Sequence, residues 1–253
     1  MEVTLPLGAV GTTMLVGVRV AGFLAVAPPF AHRGVPGQVK AILAVGIALA
    51  VAPRLGSAQA TGTGPFLLDL VLHAIVGLAL GFVVRLVFAA IESAGAALDL
   101  FGGFQLATAF DPLSMTGGAQ FARLYQFLGL ALLVASDAHH VMLGGLVRSF
   151  EALPLGTAPD EGAIAGTVTE GVTGMLVAAL QIAGPLLVVL FLVDVGLGLL
   201  TRVAPALNAF ALGFPAKILL TVSLAGIALL TLPGVVAGLA EDGFAGMGAV
   251  VSP

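Results

Sequence analysis

Asp137, His139 and His140 are the residues whose types best suit a metal site or a proton relay. Neighbours on a helix diverge by about 100°, so His139 and His140 are not expected to share one ligand face. No cysteine is present and no histidine pair stands at helical spacing, so neither a metal nor a cofactor is expected. Arg85, Glu92 and Asp99 make a second set. They recur two helical turns apart and project from one face. Small residues surround them, among them Ala90, Ala94 and Gly95, and would let another helix approach closely. Such a stripe faces a neighbouring subunit or a water-filled path, or else it is the solvent side of a helix leaving the membrane. Arg19, Asp194, Arg202 and Lys217 stand alone in sequence and read as interface anchors or partners for another subunit's charge. Phosphate-loop, nucleophile-elbow and H-E-x-x-H patterns are all missing, and the chain is not expected to be an enzyme.

Residues 104–120 raise a different kind of chemistry. Asp111-Pro112 ends any preceding helix, because the residue before proline is pushed out of the α region. Gly117-Gly118 adds flexibility, while Phe110, Leu113 and Met115 put bulky apolar groups beside Ser114 and Thr116. Three large hydrophobes on a loop are costly in plain water. The segment suits a plug across a pore or a re-entrant stretch packed inside protein, the alternative being a surface hairpin with incidental hydrophobes.

The elements that must position these groups follow from composition. The chain has 253 residues, 59% hydrophobic and only 9% charged, with a mean hydropathy of +1.16. That is too apolar for a water-facing globule, whose charged share is about 25%. An all-α integral membrane protein is expected, built as a single membrane domain over 1–253. Its helices are expected at roughly 5–28, 38–53, 66–90, 91–108, 121–148, 171–200 and 216–238, several bent or broken by proline. Lys and Arg in residues 31–40 and 201–217, against acidic residues in 149–170, predict six crossings with both termini outside. Long apolar runs argue against an outer-membrane barrel. Scattered basic residues and a net charge of −4 exclude a nucleic-acid surface. Met1-Glu2-Val3 offers no basic leader region, so no cleavable signal peptide is expected. Thirty-five glycines, including Gly77 and Gly81 one turn apart, permit close helix packing, and the lack of Trp leaves a thin aromatic belt.

Several stretches in order resemble one family, the R component of bacterial type III export gates, FliR in flagella with a counterpart in injectisomes. They are Arg19…Gly22…Pro28-Pro29…Pro36…Lys40, Gly77…Gly81…Arg85, Ala94-Gly95…Asp99 and Phe110-Asp111-Pro112. They continue with His139-His140, Ser149-Phe150…Pro154…Gly156, Pro185…Asp194…Arg202 and Gly213-Phe214-Pro215-Ala216-Lys217. Two positions depart: His73 stands where the family usually has Glu, leaving Glu92 as the nearest intrahelical candidate partner of Arg85, and Ala206 follows Pro205 where the family usually has Gln.

The resemblance implies a nonenzymatic subunit of a helical multi-subunit channel. Its partners would be FliP-like and FliQ-like subunits, joined by FlhB-like and FlhA-like components. Its cargo would be exported unfolded proteins. It implies a place in the bacterial inner membrane, multi-pass, at the flagellar basal body, with bent helices that need not all cross the bilayer. It also implies that a loop plugs the closed pore, here Phe110, Asp111, Pro112, Leu113, Ser114, Met115, Thr116, Gly117 and Gly118. Arg85, Glu92 and Asp99 would then be a polar stripe toward neighbouring subunits. A small-molecule permease is the competing reading, weakened by the lack of an internal repeat.

Overall fold

The computed structural model describes residues 7–32, 34–56, 62–105, 119–204 and 209–251, and among them every regular element is a helix. In chain order these are α1 (Leu7–Val26), α2 (Gly37–Val51) with a 3-10 turn at Ala52–Arg54, and α3 (Thr63–Phe101). Then come α4 (Gln120–Ala135), α5 (Ala138–Ala152), α6 (Glu161–Val203) and α7 (Ala209–Val251). Helix is what such sequences must form in lipid, because each backbone N–H finds its carbonyl within the same segment. Local signals set some ends. Asp160 accepts from the Gly162 N–H at 2.8 Å where α6 begins. Glu161 in its first turn and Arg202 in its last complement the helix dipole.

Among the described residues five stretches are long and apolar enough to cross a membrane: Gly8–Val26, Gly37–Arg54, Thr63–Phe101, Glu161–Val203 and Leu232–Val251. Helices α4 and α5 make a sixth when taken together as one broken span. The protein is an all-α membrane protein. Helix α3 has 39 residues and α6 and α7 have 43 each. At 1.5 Å per residue these are about 58 and 65 Å of helix, roughly twice the thickness of a bilayer core.

The structure redraws several expected boundaries. Of the segment expected as a separate helix at 91–108, residues 91–101 continue α3, because no proline or glycine pair interrupts the chain before Gly102-Gly103; 102–105 form turns, and 106–108 lie outside the described residues. The helix expected over 121–148 is broken at Ser136-Asp137, where Asp137 takes a left-handed conformation (φ 57°) that Asp tolerates better than most residues. Helix α7 runs through Pro215 and Pro233, and α6 through Pro185. Each proline removes one backbone donor without ending the helix.

The chain divides into two compact units. The first holds Met1–Val87, Ser136–Thr173 and Ala240–Pro253. Its interior includes Leu15, Val20, Phe23, Val76, Leu80, Leu146 and Phe150, all buried. Glycine makes this packing possible. A Cβ on Gly77 would land on the Arg19 carbonyl oxygen, and one on Gly81 would lie 2.7 Å from that of Phe23. Helices α1 and α3 therefore touch backbone to backbone. The second unit holds Phe88–Ala135 and Gly174–Leu239. Ile91, Leu98, Phe121, Tyr125, Leu186, Leu232 and Val236 form its core.

Candidate functional site

The second unit contains the base of the loop that the sequence singles out. Helix α3 ends at Phe101, and the chain turns through Gly102 and Gly103, where Gly103 has φ +85°. Gly102 N–H donates to the Leu98 carbonyl at 2.8 Å, and Gln105 N–H to the Asp99 carbonyl at 3.3 Å. The chain is described again from Ala119, and α4 starts one residue later. Asp99 joins the two sides. One carboxylate oxygen accepts from Phe121 N–H and the other from Ala122 N–H, each at 2.9 Å. These are donors that a helix start leaves unpaired, and an anion there also meets the positive end of the helix dipole. Phe104 and Phe121 pack edge to face with ring centres 5.1 Å apart. A Cβ on Gly95 would lie 2.5 Å from the Phe121 carbonyl oxygen, so α3 and α4 meet with no room to spare.

The plug residues Phe110, Asp111, Pro112, Leu113, Ser114, Met115, Thr116, Gly117 and Gly118 lie outside the described residues. The three stripe residues have different surroundings. Arg85 and Glu92 are exposed, whereas Asp99 is fully buried, and its carboxylate is spent on α4 rather than turned outward. Seven-residue spacing placed them on one face of a straight helix. It could not reveal that α4 packs over only the last of them.

The first unit has its own buried charge. Arg19 is 0% exposed and lies against α5. Its Nη1 donates to the Ser149 carbonyl at 2.9 Å and to the Ser149 hydroxyl at 3.3 Å. Its Nη2 donates to the Leu153 carbonyl at 2.9 Å and lies 2.8 Å from His73 Nδ1. A guanidinium has no acceptor, so Nδ1 must accept and His73 is the neutral tautomer with its proton on Nε2. The guanidinium also sits 4.3 Å from the centre of the Phe150 ring. Sequence reading takes Arg19 as isolated, an interface anchor or a partner for another subunit's charge. The structure corrects this: its partners are two carbonyls, a hydroxyl and an imidazole. Backbone carbonyls leave no mark in a sequence. The one signal available was His73 in place of a usual Glu.

Asp194 and Lys217 are likewise not isolated. They form an ion pair on the wall of an open cavity of about 340 Å³ in the second unit. Asp137, His139 and His140 bring one ligand atom each within 4.8 Å of one another, and the two rings lie 4.1 Å centre to centre. The angular argument against a shared face fails because Asp137 stands outside the helix and the rings pivot toward each other. The group is open, with His140 and Asp137 side chains 71% and 77% exposed. Deeply buried, hydrogen-bonded ligand sets are the better metal sites.

Residues 10–243 match the family described as bacterial export proteins, family 1. The chain is similar to the flagellar biosynthetic protein FliR of Escherichia coli (strain K12), 34% identical over 82% of this chain and 80% of the relative. It is 33% identical to that of Bacillus subtilis (strain 168), over 81% of each. It is also 30% identical to the Yop proteins translocation protein T of Yersinia pestis, over 68% of this chain and 67% of the relative. With this geometry and a match along nearly its whole length, the chain belongs to family 1 of the bacterial export proteins.

Proposed function

We propose that this protein is a structural and gating subunit of the bacterial flagellar type III protein export channel. In this reading it assembles with FliP-like and FliQ-like subunits, joined by FlhB-like and FlhA-like components, in the inner membrane at the flagellar basal body. Residues 110–118 plug the closed pore. The observation that carries the reading is the base of that segment: Asp99 ties the end of α3 to the start of α4, so the described residues on either side of it are held together. A hydrophobic plug blocks ions by excluding water, yet an unfolded apolar-tolerant chain can push it aside. Exposed Arg85 and Glu92 are left for neighbouring subunits.

Deleting residues 111–118 tests the plug. The expected outcome is a complex that assembles as before but leaks ions, read as conductance of vesicles containing the purified complex. Unchanged conductance in an assembled deletion variant sinks the plug. The similarity to the Yersinia translocation protein supports a second reading, an injectisome counterpart. Restored swimming in a flagellar strain lacking its own R component favours the flagellar reading. Restored secretion in an injectisome strain alone favours the other.

A further inference from the structure

Where α4 ends, the chain turns through Ser136 and Asp137 and re-enters helix as α5 at Ala138. Asp137, His139 and His140 stand at that start, each with one metal-ligating atom within 4.8 Å of the others'. Among the described residues none of the three is spent on a group outside the cluster. Asp137 holds the N-cap position of α5, yet with φ 57° and ψ 12° its side chain makes no capping bond. The usual work of an N-cap aspartate is left undone, and its carboxylate is free. His139 Nδ1 is shielded from solvent and has no hydrogen-bond partner among the described residues. A shielded ring nitrogen without a partner is unfavourable, and a ligand that takes its lone pair removes the cost. His140 Nδ1 lies 3.6 Å from Asp137 Oδ1. That is too long for a hydrogen bond. It is close to the spacing of about 3.4 Å that two ligands keep on a tetrahedral zinc ion with bonds of roughly 2.0–2.1 Å.

We propose that Asp137, His139 and His140 bind one divalent transition-metal ion of the zinc kind at the start of α5, with solvent completing its coordination. Two imidazoles and a carboxylate are donors that such ions accept, whereas Mg²⁺ and Ca²⁺ favour all-oxygen sets. The rings already lie against each other, 4.1 Å apart centre to centre and tilted by 38°. Exposure serves an open site of this type. The Asp137 and His140 side chains are 77% and 71% exposed, so both can turn to close on an ion while one position stays with water. A cation beside a helix start works against the helix dipole, and the carboxylate offsets it. The bound ion fixes the left-handed Asp137 and the first turn of α5 together.

The test uses the full chain purified in detergent with a histidine-free tag, stripped with chelator and titrated with ZnCl2 in a calorimeter. One zinc ion should bind per chain. His139→Gln, His140→Gln and Asp137→Asn should each weaken that binding at least about tenfold, the loss that removal of even an outer partner of a metal site brings. Asparagine keeps the left-handed backbone available, so the third variant removes the charge alone. His32→Gln, outside the cluster, should bind zinc as the wild type does. No zinc binding by the wild type overturns the proposal, and so does wild-type affinity in either cluster histidine variant. A loss in His32→Gln as large as theirs overturns it as well. Where a variant does not fold, X-ray absorption at the zinc edge of the wild-type complex decides. Two imidazoles in the zinc shell are expected, and one imidazole or oxygen alone overturns the proposal. Displacement of the zinc by MgCl2 would overturn the class of ion.

Discussion

Arg19 in the first unit and Asp99 in the second are each other's inverse. Both are fully buried, and among the described residues each is met by the end of a helix rather than by an opposite charge. Arg19 donates to the Ser149 and Leu153 carbonyls, where α5 runs out and the helix dipole is negative. Asp99 accepts from Phe121 and Ala122, where α4 begins and the dipole is positive. The difference lies in redundancy. Arg19 has four hydrogen-bond partners and an aromatic face, drawn from α3 and from the end of α5. Among the described residues Asp99 has two side-chain bonds, both to one helix start. Redundant bonding makes a joint that survives the loss of one partner, and a pair of bonds at one point makes a joint that a single substitution can weaken.

The comparison predicts that the Arg19 site is the costlier one to break. Arg19→Met takes the guanidinium donors away from the buried Ser149 and Leu153 carbonyls and from His73 and should destabilise the protein by roughly 3–5 kcal/mol, seen as a large fall in thermal midpoint in detergent. A midpoint like that of the wild type would reverse the ranking of the two joints. The glycines beside each site sharpen the contrast next. Gly77→Ala and Gly95→Ala each drive a methyl group into a backbone carbonyl and should cost about 1–3 kcal/mol by the same assay. Only Gly95→Ala should also raise ion leak, since only it pushes α3 and the start of α4 apart. Equal leak from both would dissolve the distinction between the two joints. Smallest of all is the ordinary ion pair, Asp194 with Lys217. A double-mutant cycle with Asp194→Asn and Lys217→Gln should give a coupling below about 1 kcal/mol, because the carboxylate is 47% exposed.

Much of the fold could be read ahead of the structure. Sparse charge and long apolar runs require helices, and glycines one turn apart, as at 77 and 81, announced close packing. Boundaries were less legible. Pro215 and Pro233 look like stops but lie within α7, since a proline costs one hydrogen bond and the neighbouring turns hold. Ser136-Asp137 looks unremarkable in sequence but ends α4 and starts a new helix, because nothing local declares a left-handed aspartate. The candidate site was legible in part. Phe110, Pro112 and Gly117, which the sequence singles out, lie outside the described residues, and the tie between Asp99 and the start of α4 could not be read, because its acceptor and its donors are far apart in sequence.

By itself the sequence determined the class of the protein, for hydropathy is a sum over residues and lipid permits few backbone solutions. It also determined the family, through small motifs kept in order along most of the chain. Which charges are buried was decided only by the tertiary structure. Arg19 and Asp99 are each paired with backbone atoms of distant helix ends, and every residue carries such atoms alike. Only folding selects the few that face a charge.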